Sequence, residues 1–371
     1  MLPRIPSCLR CASRAPRFLA PALAAFLLAA STSLGAVPQG FIDVTAYGAI
    51  PDDGVDDTAA IQAAINDGRD QDIAVWFPGG DYWISDRLEA DQEPNNTDNA
   101  PIVLRGSTVN PQNRARLILK ANSPGFDDPG NRKVMLHFFN GGTAESESGN
   151  ANLFNHGAIG LDLKIESGNP GAIALRMQGA EGCSIQDVNI DLTEGGHTGI
   201  WGIPGSGGST HEITVTGGRI GIDTRLASGA GGGSQPGPVV TGATLLDQSE
   251  CAVFATTRGP LVMVGAVIKR DSPGPIFKSL YNWQGQPFDG SLQLVDCRLE
   301  YASYDPGNVL IKEEGVRGRS FHLDNTYLLH GEKLWSGGLA ANPGGWRHYA
   351  RVAQVIDAQS RNWADGKDPE E

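Results

Sequence analysis

The chain has 371 residues, a formal net charge of −13 and 40% apolar residues, with 49 glycines, 23 prolines and five cysteines. So acidic a chain excludes nucleic acid and anionic membrane as partners, and so few cysteines exclude a disulfide framework. The density of glycine and proline excludes a bundle of long helices and calls for many short elements joined by turns.

Residues 1–36 read as a secretory signal peptide. Arg4, Arg10, Arg14 and Arg17 precede an apolar run at 18–30, and small residues follow at Gly35 and Ala36. The run is too short for a mature anchor, and no later run is long enough for a membrane helix. A secreted or periplasmic protein with no membrane contact after signal removal is expected. Cys8 and Cys11 leave with the signal; Cys183, Cys251 and Cys297 remain.

Residues 37–100 read as an N-terminal strand, a capping helix and a first coil. In FIDVTAYGAIPDDGVDDTAAIQAAIN (41–66) an apolar strand, a Gly/Asp turn and a helix follow one another. Ala60, Ile61, Ala64 and Ile65 form one helical face. The turn holds Asp52, Asp53, Asp56 and Asp57, open to reading as an acid cluster, a calcium loop or backbone chemistry. The alternating acids and terminal Glu of a calcium loop are missing, so Asp56 and Asp57 are expected to cap the helix.

Residues 101–330 carry a repeat. Aligned on Ile165, Ile190, Ile220, Leu245, Ile268, Leu299 and Leu328, each unit has Asp162, Asp187, Gly217, Gly242, Gly265, Asp296 or Asn325 three places earlier. All are Gly, Asp or Asn, the types that tolerate left-handed bends. Alternating apolar positions flank the bend, and a second column follows at Ile173, Ile200, Ile222, Val253, Ile276 and Val309. Stacked aliphatic columns in units of uneven length predict an all-β fold, a parallel β-solenoid whose coils pair about 4.8 Å apart. Insertions at 228–237 and 281–290 are expected to be either walls of a groove or disordered flaps. Residues 331–371 read as a closing segment, with Trp335, Trp346 and Tyr349 at the far end and an acidic tail after them.

The opening signature, with VWFPGGDYWIS at 75–85, resembles the N-terminal segment of the pectate-lyase-like right-handed β-helix superfamily, which includes polygalacturonases and rhamnogalacturonases. The segments at 168–190 and 195–222 most resemble the exo-β-1,3-glucanase-like branch, over one helix and about residues 41–270. The resemblance implies the fold and a polysaccharide partner. It does not carry over a catalytic set. Asn96-Thr97-Asp98 lies too early for the polygalacturonase motif, Ile203-Pro204 stands where the glucanase-like branch commonly places a Glu, and that branch carries its acid on a second helix.

If the second column points inward, the next residues point out: Ala174, Trp201, Asp223, Phe254, Phe277 and Leu310. Trp201, Phe254 and Phe277 would form a stacking platform for sugar rings, or else a satellite apolar cluster. Two places on stand Arg176, Ile203, Arg225, Thr256, Ser279 and Lys312, with Glu313 adjacent. Arg176 and Arg225 suit an acidic polysaccharide, and Lys312 could neutralise a uronate or take its α-proton. Asp223 and Glu313 are the candidate catalytic acids, although their separation by three coils exceeds the span of a hydrolase pair. His322 and Asp324 share a strand face, and Arg347-His348 is a further candidate ligand pair. No metal-ligand spacing, phosphate loop or cofactor motif occurs, and oligomeric state leaves no signature. Three functions compete: a secreted glycoside hydrolase, ahead of a pectate-lyase-like enzyme; a non-catalytic polysaccharide-binding or cell-surface protein; and, last, a phage tailspike, which shares the opening signature but is not expected to carry a secretory signal.

Overall fold

The computed structural model describes residues 40–92, 100–140, 153–225, 237–257, 259–279, 291–313, 320–336, 338–341, 345–357 and 361–362. The expected signal, Asn96-Thr97-Asp98 and most of both insertions lie outside these residues.

The opening segment forms strand Ile42–Asp43, a 3-10 turn at Val44–Tyr47 and helix α1, Thr58–Gln71. All four aspartates accept backbone N–H groups. Asp52, at φ 66°, accepts from Asp81 at 2.9 Å; Asp53 accepts from Val55 at 2.8 Å; Asp56 accepts from Thr58 at 2.9 Å. Asp57 occupies the N-cap position, but its carboxylate turns back to Ile50 N–H at 3.0 Å. Asp56 alone therefore satisfies a first-turn amide. The helix buries Ile61, Ala64 and Ile65. Gly68 lets it close on the first coil, since a Cβ there would lie 2.6 Å from Val75 Cγ2.

Beyond α1 the chain is a parallel β-helix. Each full coil supplies two short strands to one large sheet, bends between them, then crosses to a ten-stranded sheet. The bend column is real and lies at Gly160, Asp187, Glu212, Gly242, Gly265, Asp296 and Asn325, all with positive φ. Five of these match the spacing read from the sequence. Two do not, because the true anchors are Leu163, which pairs with Ile190, and Val215, which pairs with Ile190 and Leu245. Asp162 and Gly217 are thus displaced by Gly160 and Glu212.

Around the interior, Leu117, Leu163, Ile190, Val215, Leu245, Ile268, Leu299 and Leu328 stack in register. All are buried, each worth roughly 1.5–3 kcal/mol. The ten-stranded sheet stacks Leu136, Leu175, Ile200, Ile222, Val253, Phe277, Ile311 and Trp335. Its strands break the simple alternation. Ala174 and Leu175, Ala252 and Val253, and Leu310 and Ile311 are consecutive residues that both enter the main core. Ile173, by contrast, packs with Val134 and Trp201 in a separate cluster. The expected second column was therefore in mixed register: Leu175, Phe277 and Ile311 replace Ile173, Ile276 and Val309.

At the far end both sheets finish on antiparallel strands, Trp346–Asp357 against Ser320–Leu329 and Gly338–Ala340 against Lys333–Trp335. Tyr349 is buried in the core and Trp335 packs against it, whereas Trp346 turns outward.

Candidate functional site

The outer face of the ten-stranded sheet carries the site. Backbone pairing aligns Glu89, His137, Arg176, Trp201, Asp223, Phe254, Lys278 and Lys312 on eight successive rungs. The sheet thus brings Arg176, Trp201, Asp223, Phe254 and Lys312 into one row, with Lys278 where the sequence suggested Phe277. Phe277 points the other way, into the main core, which removes it from any sugar platform. Its neighbour Ile276 is the other half of an inward pair, so the outward position falls one residue later.

Trp201 and Phe254 face outward but are not open. The Arg176 guanidinium lies 3.9 Å from the Trp201 ring centroid and that of Arg225 lies 3.7 Å from Phe254. Together with the apolar neighbours Val134 and Ile173 beside Trp201, and Ile220 and Cys251 beside Phe254, these cations leave Trp201 6% and Phe254 2% exposed. Cation–π capping, not a bare stacking surface, is what the aromatics provide.

Asp223 is fully buried beside them. Its carboxylate accepts from Arg225 Nε at 2.9 Å and Nη2 at 2.6 Å, a fork-to-carboxylate pair. Arg132 Nη1 stands 3.5 Å away, and the Arg225 carbonyl oxygen accepts the Trp201 indole N–H at 2.6 Å. Asp223 is therefore the counter-ion that orders two arginines, rather than an acid open to substrate.

At the entry to the same strands, Arg219 pairs across the rung with Glu250, which bonds Arg219 at 2.9 Å and Lys278 at 3.0 Å. Burial alone would raise the Glu250 carboxyl, but Lys278 and Arg219 hold it below the usual range. It stays ionised near neutral pH and is not a ready proton donor. His197 lies on this side too; burial, then Arg132 and Arg219, push it down to about 4. Burial likewise drives His137 well below its ordinary value, helped by Arg176 and Arg87.

Lys312 is exposed next to Lys278. Glu313 pairs through its backbone with Ser279; its side chain lies outside the described residues. Asp223 and Lys312 remain three rungs apart. Among the described residues of the central rungs Arg132, Arg176, Arg219, Arg225 and Lys278 outnumber Asp223 and Glu250, so this part of the face is cationic on a protein that is acidic overall.

A polar cleft of about 600 Å³ opens at the first-rung end, lined by Gln62, Asn66, Arg69, Asp86, Arg87, Glu89, Asp91 and Lys133. Gln62 of α1 donates to Glu89 O at 2.9 Å and accepts from Glu89 N at 2.8 Å, which locks helix to rung. Lys133 pairs with Asp86 at 2.6 Å. These residues come from three separated segments with no common motif. The one available sequence signal was the polar helix face Gln62, Asn66, Arg69 opposite the apolar one. Among the described residues no group of three His, Cys, Asp or Glu could hold a metal ion, and Cys183, Cys251 and Cys297 are free and buried.

Residues 41–236 match the model of a family described as rhamnogalacturonase A/epimerase, pectate lyase-like. No curated protein is significantly similar. Among solved structures, the chain is similar to ORF18 of Geobacillus virus E2, at 12% identity and a TM-score of 0.46, covering 85% of this chain and 64% of that one. It is also similar to the catalytic unit of a thermostable GH87 α-1,3-glucanase from Streptomyces thermodiastaticus (15%, TM-score 0.37, 84% and 66%). A third is a mutant tailspike protein of E. coli bacteriophage HK620 in complex with a pentasaccharide (10%, TM-score 0.46, 78% and 62%). The chain thus spans just under two thirds of the length of each.

Proposed function

Because the chain belongs to the rhamnogalacturonase A/epimerase, pectate lyase-like family, we propose that it is a secreted carbohydrate-active protein that takes an acidic extracellular polysaccharide across the outer face of the ten-stranded sheet. The observation that carries this reading is the cationic row. Arg225, Lys278 and Lys312 present positive charge from closely spaced rungs, near the rings of Phe254 and Trp201. A polymer of uronates offers carboxylates at regular intervals, and guanidinium and ammonium groups bind them by charge-assisted hydrogen bonds. Lys312, exposed at the end of the row, is our candidate for neutralising a uronate or taking its α-proton, with Glu313 beside it in sequence. Asp223 acts through Arg225 and Arg132 as a positioning residue.

A second reading, non-catalytic binding, is favoured by one observation: Asp223 and Glu250 are each engaged by two cations. Purified protein incubated with neutral and uronic-acid polysaccharides separates the readings. Reducing ends without ultraviolet absorbance mark a glycoside hydrolase, and absorbance from an unsaturated product marks a lyase. Retention on an acidic glycan with no product marks a binder. Retention on neutral glycans alone would refute the acidic substrate.

A further inference from the structure

The second outward-facing feature lies on the large sheet, away from the cationic row. Strand pairing aligns Val267, Arg298, Tyr327 and His348 across four neighbouring strands, with Trp346 opposite Leu329 one step along. Val267 and Tyr327 are each 41% exposed and Trp346 is 43% exposed. The rings are fixed in place. Tyr327 and His348 stack with centroids 4.4 Å apart and planes 12° apart, and Arg298 sits 4.6 Å from the Trp346 centroid. His348 Nε2 and Asn325 Oδ1 are 3.0 Å apart, and the Asn325 amide donates to Asp296 at 2.7 Å.

Large aromatic side chains held rigidly on a paired sheet and left open to water mark a binding surface. Little rotamer freedom remains to be lost when something docks. Flat rings bordered by an amide, a carboxylate and a guanidinium match a sugar, whose ring has an apolar face of C–H groups and a rim of hydroxyls. A second copy of this chain fits poorly. Three exposed apolar residues fall far short of the roughly 800 Å² per partner of a stable interface, and two chains of net charge −13 repel.

We propose that Tyr327 and Trp346, with Arg298 and His348, form an auxiliary glycan-binding platform on the opposite sheet from the cationic row. It rests on the reading above that the partner is a polysaccharide, and it would hold the protein on a polymer while the row engages another stretch of chain. The test is affinity electrophoresis in gels containing each polysaccharide, with wild type, Tyr327→Ala/Trp346→Ala, Trp346→Phe and Lys278→Ala. The double variant is expected to lose at least about tenfold in retention, as two stacking contacts imply. Trp346→Phe should keep most of it, and melting temperatures should show all variants folded.

Full retention by the folded double variant, alongside loss in Lys278→Ala, would overturn the platform and leave the cationic row standing. A wild type retained by no polysaccharide would overturn both. A change in sedimentation from dimer to monomer in the double variant, with glycan retention intact, would assign the patch to self-association and overturn the proposal.

Discussion

Trp201 and Arg225 hold each other: the indole N–H of one donates to the carbonyl oxygen of the other at 2.6 Å, while the Arg225 guanidinium closes over Phe254 and grips Asp223. Four side chains on three neighbouring rungs therefore form a single unit. Replacing Arg225 by Ala leaves the Asp223 carboxylate buried, with the backbone N–H of residue 225 at 3.0 Å and Arg132 at 3.5 Å for compensation. The expected loss is about 3 kcal/mol, read as a lower urea midpoint. Arg225→Lys should recover less than half of it, because an ammonium cannot reproduce the planar fork or its stacking on Phe254.

Stability should fall in acid over a defined window. Burial pushes His156 down to about 4, and burial with Arg132 and Arg219 does the same for His197, against an ordinary value of 6.5. Between pH 6.5 and about 4 the unfolded chain binds more protons than the folded one, so unfolding free energy decreases as pH falls and is flat above the window. His156, the more deeply enclosed of the two, accounts for roughly 3 kcal/mol across it, and His197, which solvent screens in part, for less. His156 already accepts the Ile102 N–H on Nδ1 at 3.1 Å and has Gln92 Oε1 at 2.7 Å from Nε2, so a second ring proton would disrupt the Ile102 bond. Melting curves at pH 7 and pH 4.5 should show this drop, and His197→Asn should shrink it.

The bend column gives paired predictions of opposite sign. Gly265 has φ 66° with nothing within 4 Å of an added Cβ, so Gly265→Ala costs about 1 kcal/mol through backbone conformation alone. Glu212 holds the equivalent bend at φ 50° and is exposed. Glu212→Gly relieves that strain, offset by the greater freedom of glycine in the unfolded chain, for a net gain of roughly 0.5 kcal/mol. Chemical denaturation of both variants checks the signs.

Glu250 competes with any bound carboxylate for Lys278 and Arg219. Glu250→Gln should therefore tighten binding of an acidic glycan by about three- to tenfold, and Lys278→Ala should weaken it by a similar factor. Both effects should shrink between 0.05 and about 0.5 M salt, measured by titration calorimetry.

The bends were legible where Asp187, Gly242, Gly265, Asp296 and Asn325 advertise left-handed backbone. Glu212 carries no such signal, and Gly217 draws attention away because it also has positive φ, 78°, at the end of a strand. The site row was harder, because consecutive inward residues such as Leu310 and Ile311 break the period of two from which outward positions are counted. Counting from the second apolar column placed Trp201, Asp223 and Phe254 at one outward position and Arg225 and Lys312 two places on, all on one face. That count could not reveal that arginines lie over the rings, since that depends on side-chain reach between rungs.

The antiparallel strands Trp346–Asp357 and Gly338–Ala340 also bear on how the molecule behaves at high concentration. A stack of parallel rungs is a template: an identical coil from another copy could add to its end and propagate a fibre. Reversing chain direction on both sheets at the same end means that an added coil would have to pair antiparallel, so the in-register parallel stack does not continue across it. The reversal is a break in the parallel template, built from backbone direction and independent of the side chains placed there.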